Sequence, residues 1–442
     1  MILEKPVGGT IVKKRPNFRN TLAIIIGGGE GNRLWGLTAH LPKPAVPIGA
    51  DNVLLDFPVS SVLNSGFGKV VFIAQHLPHI ISKHIASYPD IIASGRGEYI
   101  EVLTPFHQRD EFLSDQHALR RVHDHLDLDG IEYVILLNAD QIWTLDFQQI
   151  FEAMSAASAH AVMVYKKVQI AVAAGQLGVV RINGGGLVHS MEEKPLTPYP
   201  LEAEPDMCCA NTAIYCLDIS AYREMIAHIL EQDPVPNLSN TGIQWLIEKK
   251  EVLGYDIDQN YIPESADLQR GVWHDAGTHD TYVEVQRLLA SKGGRSFNLY
   301  NRRWPIYRAV SGDIFPGPVK QDSVVSEGSL LGSCVILSEG SSLKNSVLAS
   351  GTRVNDGASL SNTFTLRNCV VGAGSVLRGV ILGGNVNVPG NSVLGDGYFP
   401  PGTRAFEEVY ETELKQGLRP APCPVYTKSG LLVIPSGWQT WS

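Results

Sequence analysis

The chain has 442 residues, 44% of them apolar and 18% charged. That is the composition of a soluble globular protein, too long for one ordinary core, so two domains are expected. Forty-five acidic residues against 36 basic ones leave a net charge of −9, which argues against a general nucleic-acid binder. No apolar run approaches the length of a membrane span. The six cysteines (Cys208, Cys209, Cys216, Cys334, Cys369, Cys423) form no Cys-x-x-Cys pair, and free thiols in a reducing cytoplasm are expected. Residues 1–20 carry Lys13, Lys14 and Arg15 without an apolar stretch and read as a leader, not a secretion signal.

From Thr21 to about residue 295, short β-branched runs alternate with longer helical patterns. Leu22–Ile26, Val70–Ala74, Tyr133–Leu137 and Ala161–Tyr165 read as strands. Ile81–Ser87, Gln116–His125, Phe147–Ala157 and Thr281–Ser291 read as helices. The alternation predicts an α/β domain with a mostly parallel sheet covered on both faces. Ligands of such sheets bind outside the carboxyl ends of the strands.

After a linker over 296–320 the texture changes to Gly, Ser, Val and Asn. An apolar residue recurs every six positions at Val324, Leu330, Ile336, Leu348, Val354, Leu360 and Leu366, with Ser342 as a miss. A second phase follows at Val370, Val376, Leu382, Val388 and Leu394. This period predicts a parallel β-helix over 321–405, with a small loop bulging from one coil at the phase slip. A C-terminal extension over 406–442 is expected to cap the coils or to dock elsewhere.

Three places carry candidate chemistry. The run Ile24-Ile25-Ile26 breaks into Gly27-Gly28-Gly29-Glu30-Gly31-Asn32-Arg33-Leu34, with Lys43-Pro44 close behind. Glycines let backbone N–H groups approach a phosphate, and Arg33 and Lys43 offer countercharge; a plain strand-to-helix turn is the alternative. The loop is not a P-loop, since Gly31 and Gly36 are followed by Leu37-Thr38 with no lysine. Nor is it a dinucleotide fingerprint, because Leu34 stands where the third glycine belongs, although Asp51 has the spacing of a ribose-binding acid. Asp140 ends the run Leu136-Leu137-Asn138-Ala139, and Asp275 lies in Gly271-Val272-Trp273-His274-Asp275-Ala276-Gly277-Thr278. Two carboxylates together with substrate phosphates are a usual way of holding Mg²⁺. Glu192-Glu193-Lys194-Pro195 follows a glycine-rich hairpin and by itself reads as a charged loop edge.

The pattern Gly-Gly-x-Gly-x-Arg-Leu…Lys-Pro over Gly28 to Pro44, with Leu54-Leu55-Asp56-Phe57-Pro58 and Asn64-Ser65-Gly66 after it, resembles that of bacterial glucose-1-phosphate adenylyltransferases within the sugar nucleotidylyltransferases. The resemblance runs from Thr21 to about residue 395. It implies a Rossmann-like mixed or parallel sheet followed by a left-handed parallel β-helix. It also implies transfer of a nucleotidyl group from a nucleoside triphosphate, ATP in this branch, to a sugar 1-phosphate with release of pyrophosphate. In that reading Gly28, Gly29, Gly31, Arg33 and Phe112 bind the nucleotide, while Arg33, Lys43 and Asp140 serve the chemistry. Asp140 and Asp275 hold Mg²⁺. Gly178, Glu193, Lys194 and Asn211 bind the sugar phosphate. A β-helix often supports oligomers, so a homotetramer or dimer of dimers is expected. The resemblance further implies an anionic sugar-phosphate effector, for which Lys13, Lys14, Arg15 and Arg19 are candidate contacts, with a solvated leader as the alternative.

Three positions depart from the family pattern. Glu111 to Ala118 replaces a Trp-Tyr-x-Gly-Thr-Ala-Asp-Ala segment, Asn211 stands where the family has serine, and Gly36 where it has proline. The first two fall at the base and sugar pockets, so another base or another sugar stays open. A catalytically silent subunit is the remaining alternative, opposed by the retained Arg33, Lys43, Asp140 and Asp275. His117, His123 and His125 read as exposed helix residues, not as a zinc site.

Overall fold

The computed structural model describes residues 18–27, 31–88, 97–105, 115–232, 238–263, 270–291, 297–308 and 317–439. Thr21–Gly27 lies at the centre of a nine-stranded sheet. Lys69–Ala74 and Tyr133–Asn138 flank it in parallel, and Tyr99–Leu103 continues beyond Lys69–Ala74. Thr21–Gly27, Lys69–Ala74 and Tyr133–Asn138 are buried on both faces, which is why they read as nearly unbroken apolar runs. Side chains alternate across the sheet. Ala23 and Ile25 join the core beneath the helix Phe147–Ala157, and Leu22, Ile24 and Ile26 join that beneath Asp115–Val122 and Ile219–Leu230. Ile24 and Ile25 are fully buried, and full burial of such a side chain is worth about 1.5–3 kcal/mol.

The other half of the sheet is mostly antiparallel, with Val252–Asp256 parallel to Ala161–Gln169 at its edge. The twelve-residue strand Met207–Asp218 pairs with Tyr133–Asn138 and with Ala161–Gln169. The unbroken parallel order therefore ends at Tyr133–Asn138 and the sheet is mixed. The first helix, Asp56–Asn64, is buried all round and shows no amphipathic period, so its sequence does not announce it. At the start of the described chain, Phe18 stacks on Phe151 with centroids 5.1 Å apart.

Residues 319–394 wind into the expected parallel β-helix, but the phase slip has a different cause. The pairs Ile336↔Arg353, Arg353↔Val370 and Val370↔Asn387 show successive coils in parallel register, 17 residues apart, as in the Ser342–Ser359 hydroxyl contact. Three six-residue sides would need one residue more, so one side of each coil is short and the slip recurs in every coil. No single loop bulges out. Several residues of the six-residue count are consequently one place off: Val324 is 68% exposed, and Ile336, Val370 and Val376 are half-buried. Their successors Leu337, Val371 and Leu377 fill the core, and Leu343 does so beside the apparent miss at Ser342. Each coil turns three corners through left-handed residues. One series is Gly328, Asn345, Asn362 and Gly379, and another Gly340, Gly357, Gly374 and Asn391, the residue types that adopt positive φ at least cost.

The C-terminal extension does both things expected of it. Leu432–Ile434 adds a parallel strand beside Val376–Leu382, pairing Ile381 with Val433. The same segment packs on the α/β domain. Val433 and Val409 share one apolar cluster with Val46, Phe57 and Tyr282 of that domain and with Phe364 of the β-helix. Asp51 belongs to this junction and not to a ribose site. Its carboxylate accepts from Ser333 N at 2.8 Å and Ser350 Oγ at 2.5 Å, and pairs with Arg308 at 2.7 Å.

Candidate active site

The carboxyl end of the sheet brings the predicted charged residues together. Asp140 lies two residues past the end of Tyr133–Asn138, and the next residues, Gln141–Trp143, pair antiparallel with Trp273–Asp275. That short ladder sets Asp275 opposite Gln141 and so beside Asp140. It is fixed further by Trp273 Nε1 donating to Gln141 Oε1 at 3.0 Å. A Cβ on Gly277 would lie 3.0 Å from Asp275 Oδ2, so glycine there leaves room for the carboxylate. Lys43 sits in a short 3-10 turn, Lys43–Ala45, with its side chain 6% exposed. Its Nζ donates to Asp140 Oδ2 at 2.7 Å and reaches Asp275 Oδ1 at 3.4 Å.

Electrostatics hold Lys43 and Asp140 charged. Burial by itself would lower the Lys43 ammonium, but the facing carboxylates of Asp140 and Asp275 outweigh it and hold it above its ordinary value. Burial would raise the Asp140 carboxyl, yet Lys43, with help from Arg33, holds it below the ordinary carboxylate range. Arg33 is exposed on the 3-10 turn Asn32–Leu34 and, with Asp275, lines a cleft of about 800 Å³. Gly31 precedes that turn at φ 70°, and a Cβ there would meet Thr38 at 2.9 Å and Lys43 at 3.3 Å. Glycine at this point lets the Arg33 turn lie directly against the Lys43 segment. Gly28, Gly29 and Phe112 lie outside the described residues.

A second group gathers beside the cleft, next to Gln176 and Leu177 of its lining. A Cβ on the next residue, Gly178, would lie 3.1 Å from Glu193 Oε2 and 3.5 Å from Asn211 Cβ. Three residues far apart in sequence thus converge. Asn211 is held from both sides of its amide: Nδ2 donates to Tyr215 OH at 2.7 Å, and Oδ1 accepts from Ala213 N at 3.0 Å. It sits where Met207–Asp218 loses register with Ala161–Gln169, an irregularity of the kind that re-aims side chains beside active sites. Lys194 stands in the left-handed region at φ 48°, with its side chain 54% exposed and 3.8 Å from Glu193 Oε1. Non-glycine residues held there cluster at functional sites.

Gly36 also finds its reason. Its φ of 94° is closed to proline, and its carbonyl accepts from Ser436 N at 3.0 Å. The proline of the family pattern is replaced where the C-terminal extension docks. His123 faces Tyr222, its Nδ1 3.3 Å from the hydroxyl, and burial lowers its basicity. Among the described residues no group of three or more His, Cys, Asp or Glu side chains is placed to hold a metal ion. Two carboxylates completed by phosphates and water remain the donor set, which suits a hard divalent cation. The Trp273–Asp275 ladder, Gly277 and the Tyr215 brace are the parts that sequence reasoning missed. Only Gly277, inside the Asp-x-Gly-Thr run, carried a local signal.

The Nucleotidyl transferase family profile matches residues 22–292, and the GlmU-like C-terminal hexapeptide profile matches 317–398, in keeping with a left-handed β-helix. Among curated relatives, the glucose-1-phosphate adenylyltransferase of Corynebacterium jeikeium is 29% identical over 85% of this chain and 92% of its own length. Proteins of the same name from Arthrobacter sp. and Paenarthrobacter aurescens are each 30% identical. They align with 86% and 74% of this chain and with 83% and 72% of their own. The chain therefore belongs to the nucleotidyl transferase family, on its glucose-1-phosphate adenylyltransferase branch.

Proposed function

We propose that this protein transfers the adenylyl group of ATP to glucose 1-phosphate, giving ADP-glucose and pyrophosphate for α-glucan synthesis. The observation that carries the reading is Lys43 Nζ held between Asp140 at 2.7 Å and Asp275 at 3.4 Å at the carboxyl end of the sheet. A silent subunit has no use for such an assembly. In the reaction a sugar-phosphate oxygen attacks the α-phosphorus in line. The new P–O bond forms as the bond to the β-phosphate breaks, and the electron pair leaves with pyrophosphate. Arg33, exposed at the cleft, binds the triphosphate and the departing pyrophosphate. Lys43 stays protonated through the neutral range and offsets charge building on the α-phosphoryl oxygens. Asp140 and Asp275 would hold Mg²⁺, which supplies charge neutralisation across the phosphates when bound. At the other end Glu193 takes sugar hydroxyls and Lys194 the sugar phosphate, with Gly178 and Asn211 shaping the pocket.

Asn211 favours a second reading, the same reaction on a different sugar or base, because a hydrogen-bonding pocket discriminates strongly by its polar groups. A homotetramer and control by an anionic sugar phosphate complete the proposal; Lys13, Lys14 and Arg15 lie outside the described residues. We place the enzyme in the cytoplasm, a reading supported by six free cysteines. No helix among the described residues is long and apolar enough to cross a membrane. The test is pyrophosphate release from each nucleoside triphosphate with a panel of sugar 1-phosphates and Mg²⁺, with Asp140→Ala as control. Release with ATP and glucose 1-phosphate above all other pairs is expected. Release with UTP or GTP alone removes the adenylyl assignment, and none with any pair removes the enzyme.

A further inference from the structure

The two charged loops of the active site are tied together by a residue that belongs to neither. His279 is the first residue of the helix His279–Ala290, four positions after Asp275, and this helix start is fixed by a Thr278–Thr281 capping box. The imidazole is 1% exposed. Its Nε2 lies 2.9 Å from the carbonyl oxygen of Trp35, so Nε2 carries the proton and donates it. Trp35 closes the short turn that bears Arg33, at the point where the backbone leaves the 3-10 ladder for an extended conformation. A single ring thus spans from the Asp275 loop to the Arg33 loop. The ring is held edge-on by Phe406 of the C-terminal extension, centroids 4.7 Å apart at 90°. His279 Nδ1 has no hydrogen-bond partner among the described residues. An apolar side chain would fill this core position without burying a bare acceptor. The histidine is explained by what its other nitrogen does.

We propose that His279 is a positioning residue for nucleotidyl transfer, setting the Arg33 loop against the Asp275 loop through its bond to Trp35, with Phe406 clamping the ring. Asn32 Nδ2 donating to Leu414 O at 3.3 Å and Ser436 N donating to Gly36 O at 3.0 Å hold the same turn from the extension. The C-terminal segment is in this way part of the active-site framework. The inference rests on the reading of this cleft as a nucleoside triphosphate site.

Two near-isosteric variants test it. In His279→Gln the amide nitrogen occupies the Nε2 position, whereas in His279→Asn it stops at the Nδ1 position and falls short of Trp35. Equilibrium titration with ATP and steady-state pyrophosphate release, alongside melting curves, separate the outcomes. His279→Gln is expected to keep ATP affinity and kcat/KM for ATP within about threefold of wild type. His279→Asn is expected to lose about tenfold in both, with KM for glucose 1-phosphate unchanged. Equal losses in the two variants, or none in His279→Asn, overturn the proposal. If His279→Asn does not fold, Phe406→Leu takes its place: it keeps the imidazole but frees the ring, and unchanged ATP affinity there overturns the proposal equally. Wild type that binds ATP but releases no pyrophosphate defeats the enzymatic reading alone, because the difference in ATP affinity still decides the role of His279. Wild type that does not bind ATP overturns both.

Discussion

The two ends of the cleft are built on opposite plans. At the end proposed to take the triphosphate, Lys43 pairs with Asp140 at 2.7 Å and Asp275 at 3.4 Å, and the ladder of Gln141–Trp143 and Trp273–Asp275 sets the two carboxylates side by side. At the end proposed to take the sugar phosphate the groups are held from behind, Asn211 by Tyr215 and Ala213, while the Lys194 side chain is 54% exposed. Charge that must meet developing phosphoryl charge works best when its geometry is preset and water is excluded. A lysine that only recognises a ground-state phosphate can remain a mobile point charge. Substitutions at the first end should therefore act on kcat, and those at the second on KM.

Asp140→Ala should produce the largest change, a fall in kcat of about three orders of magnitude, read from pyrophosphate release, with KM for glucose 1-phosphate nearly unchanged. A loss confined to KM would break the distinction. The next effect is on stability. Burial pushes the imidazole of His279 down to about 4 from an ordinary 6.5, so the folded state refuses a proton that the unfolded chain accepts. Its stabilising effect is complete above pH 6.5 and is lost as the pH falls toward 4, by up to about 3 kcal/mol. Melting temperature against pH should fall less steeply over that interval in His279→Gln, with His123 and His274, also lowered by burial, leaving a residual slope. Lys43 contributes no slope there, because its ammonium is held above 10.5, and Asp140 contributes only at the acid edge, where the unfolded carboxyl takes up a proton that the folded one refuses.

Lys194→Ala should raise KM for glucose 1-phosphate by ten- to fiftyfold, about 1.4–2.3 kcal/mol, and leave kcat within a factor of three. An equal fall in kcat would move Lys194 into the chemistry. Gly36→Ala strains a left-handed residue against Val433 and should destabilise the fold by about 1–2 kcal/mol, measured by denaturant unfolding. Smallest is Gly178→Ala, whose methyl group would press on the Glu193 carboxylate. It should cost a few-fold in sugar-phosphate KM, about 1 kcal/mol or less, with no change in melting temperature.

The reach of the sequence differed from element to element for physical reasons. Leu22–Ile26 and Phe147–Ala157 are legible because a buried parallel strand and a one-sided helix each write their own period. Asp56–Asn64, buried all round, writes none. Hexapeptide spacing revealed the β-helix but misplaced several of its inward residues, because a coil of 17 residues does not divide into equal sixes. Arg33, Lys43, Asp140 and Asp275 could be named from local runs and a family resemblance. Phe112 rests on that resemblance alone.

By itself the sequence determined the strand that ends in glycines, the residue types able to meet phosphate and metal, and a coil that stacks on copies of itself. Each of these is a local property, written within a few consecutive residues or one repeat. Only the tertiary structure decided that Trp273–Asp275 pairs with Gln141–Trp143, and that Asp51 anchors the β-helix. It alone decided that Gly36 receives the chain's far end. Those contacts join segments more than a hundred residues apart, where closing the intervening chain costs entropy whatever the local pattern. Their partners are chosen by packing, and no periodicity records that choice.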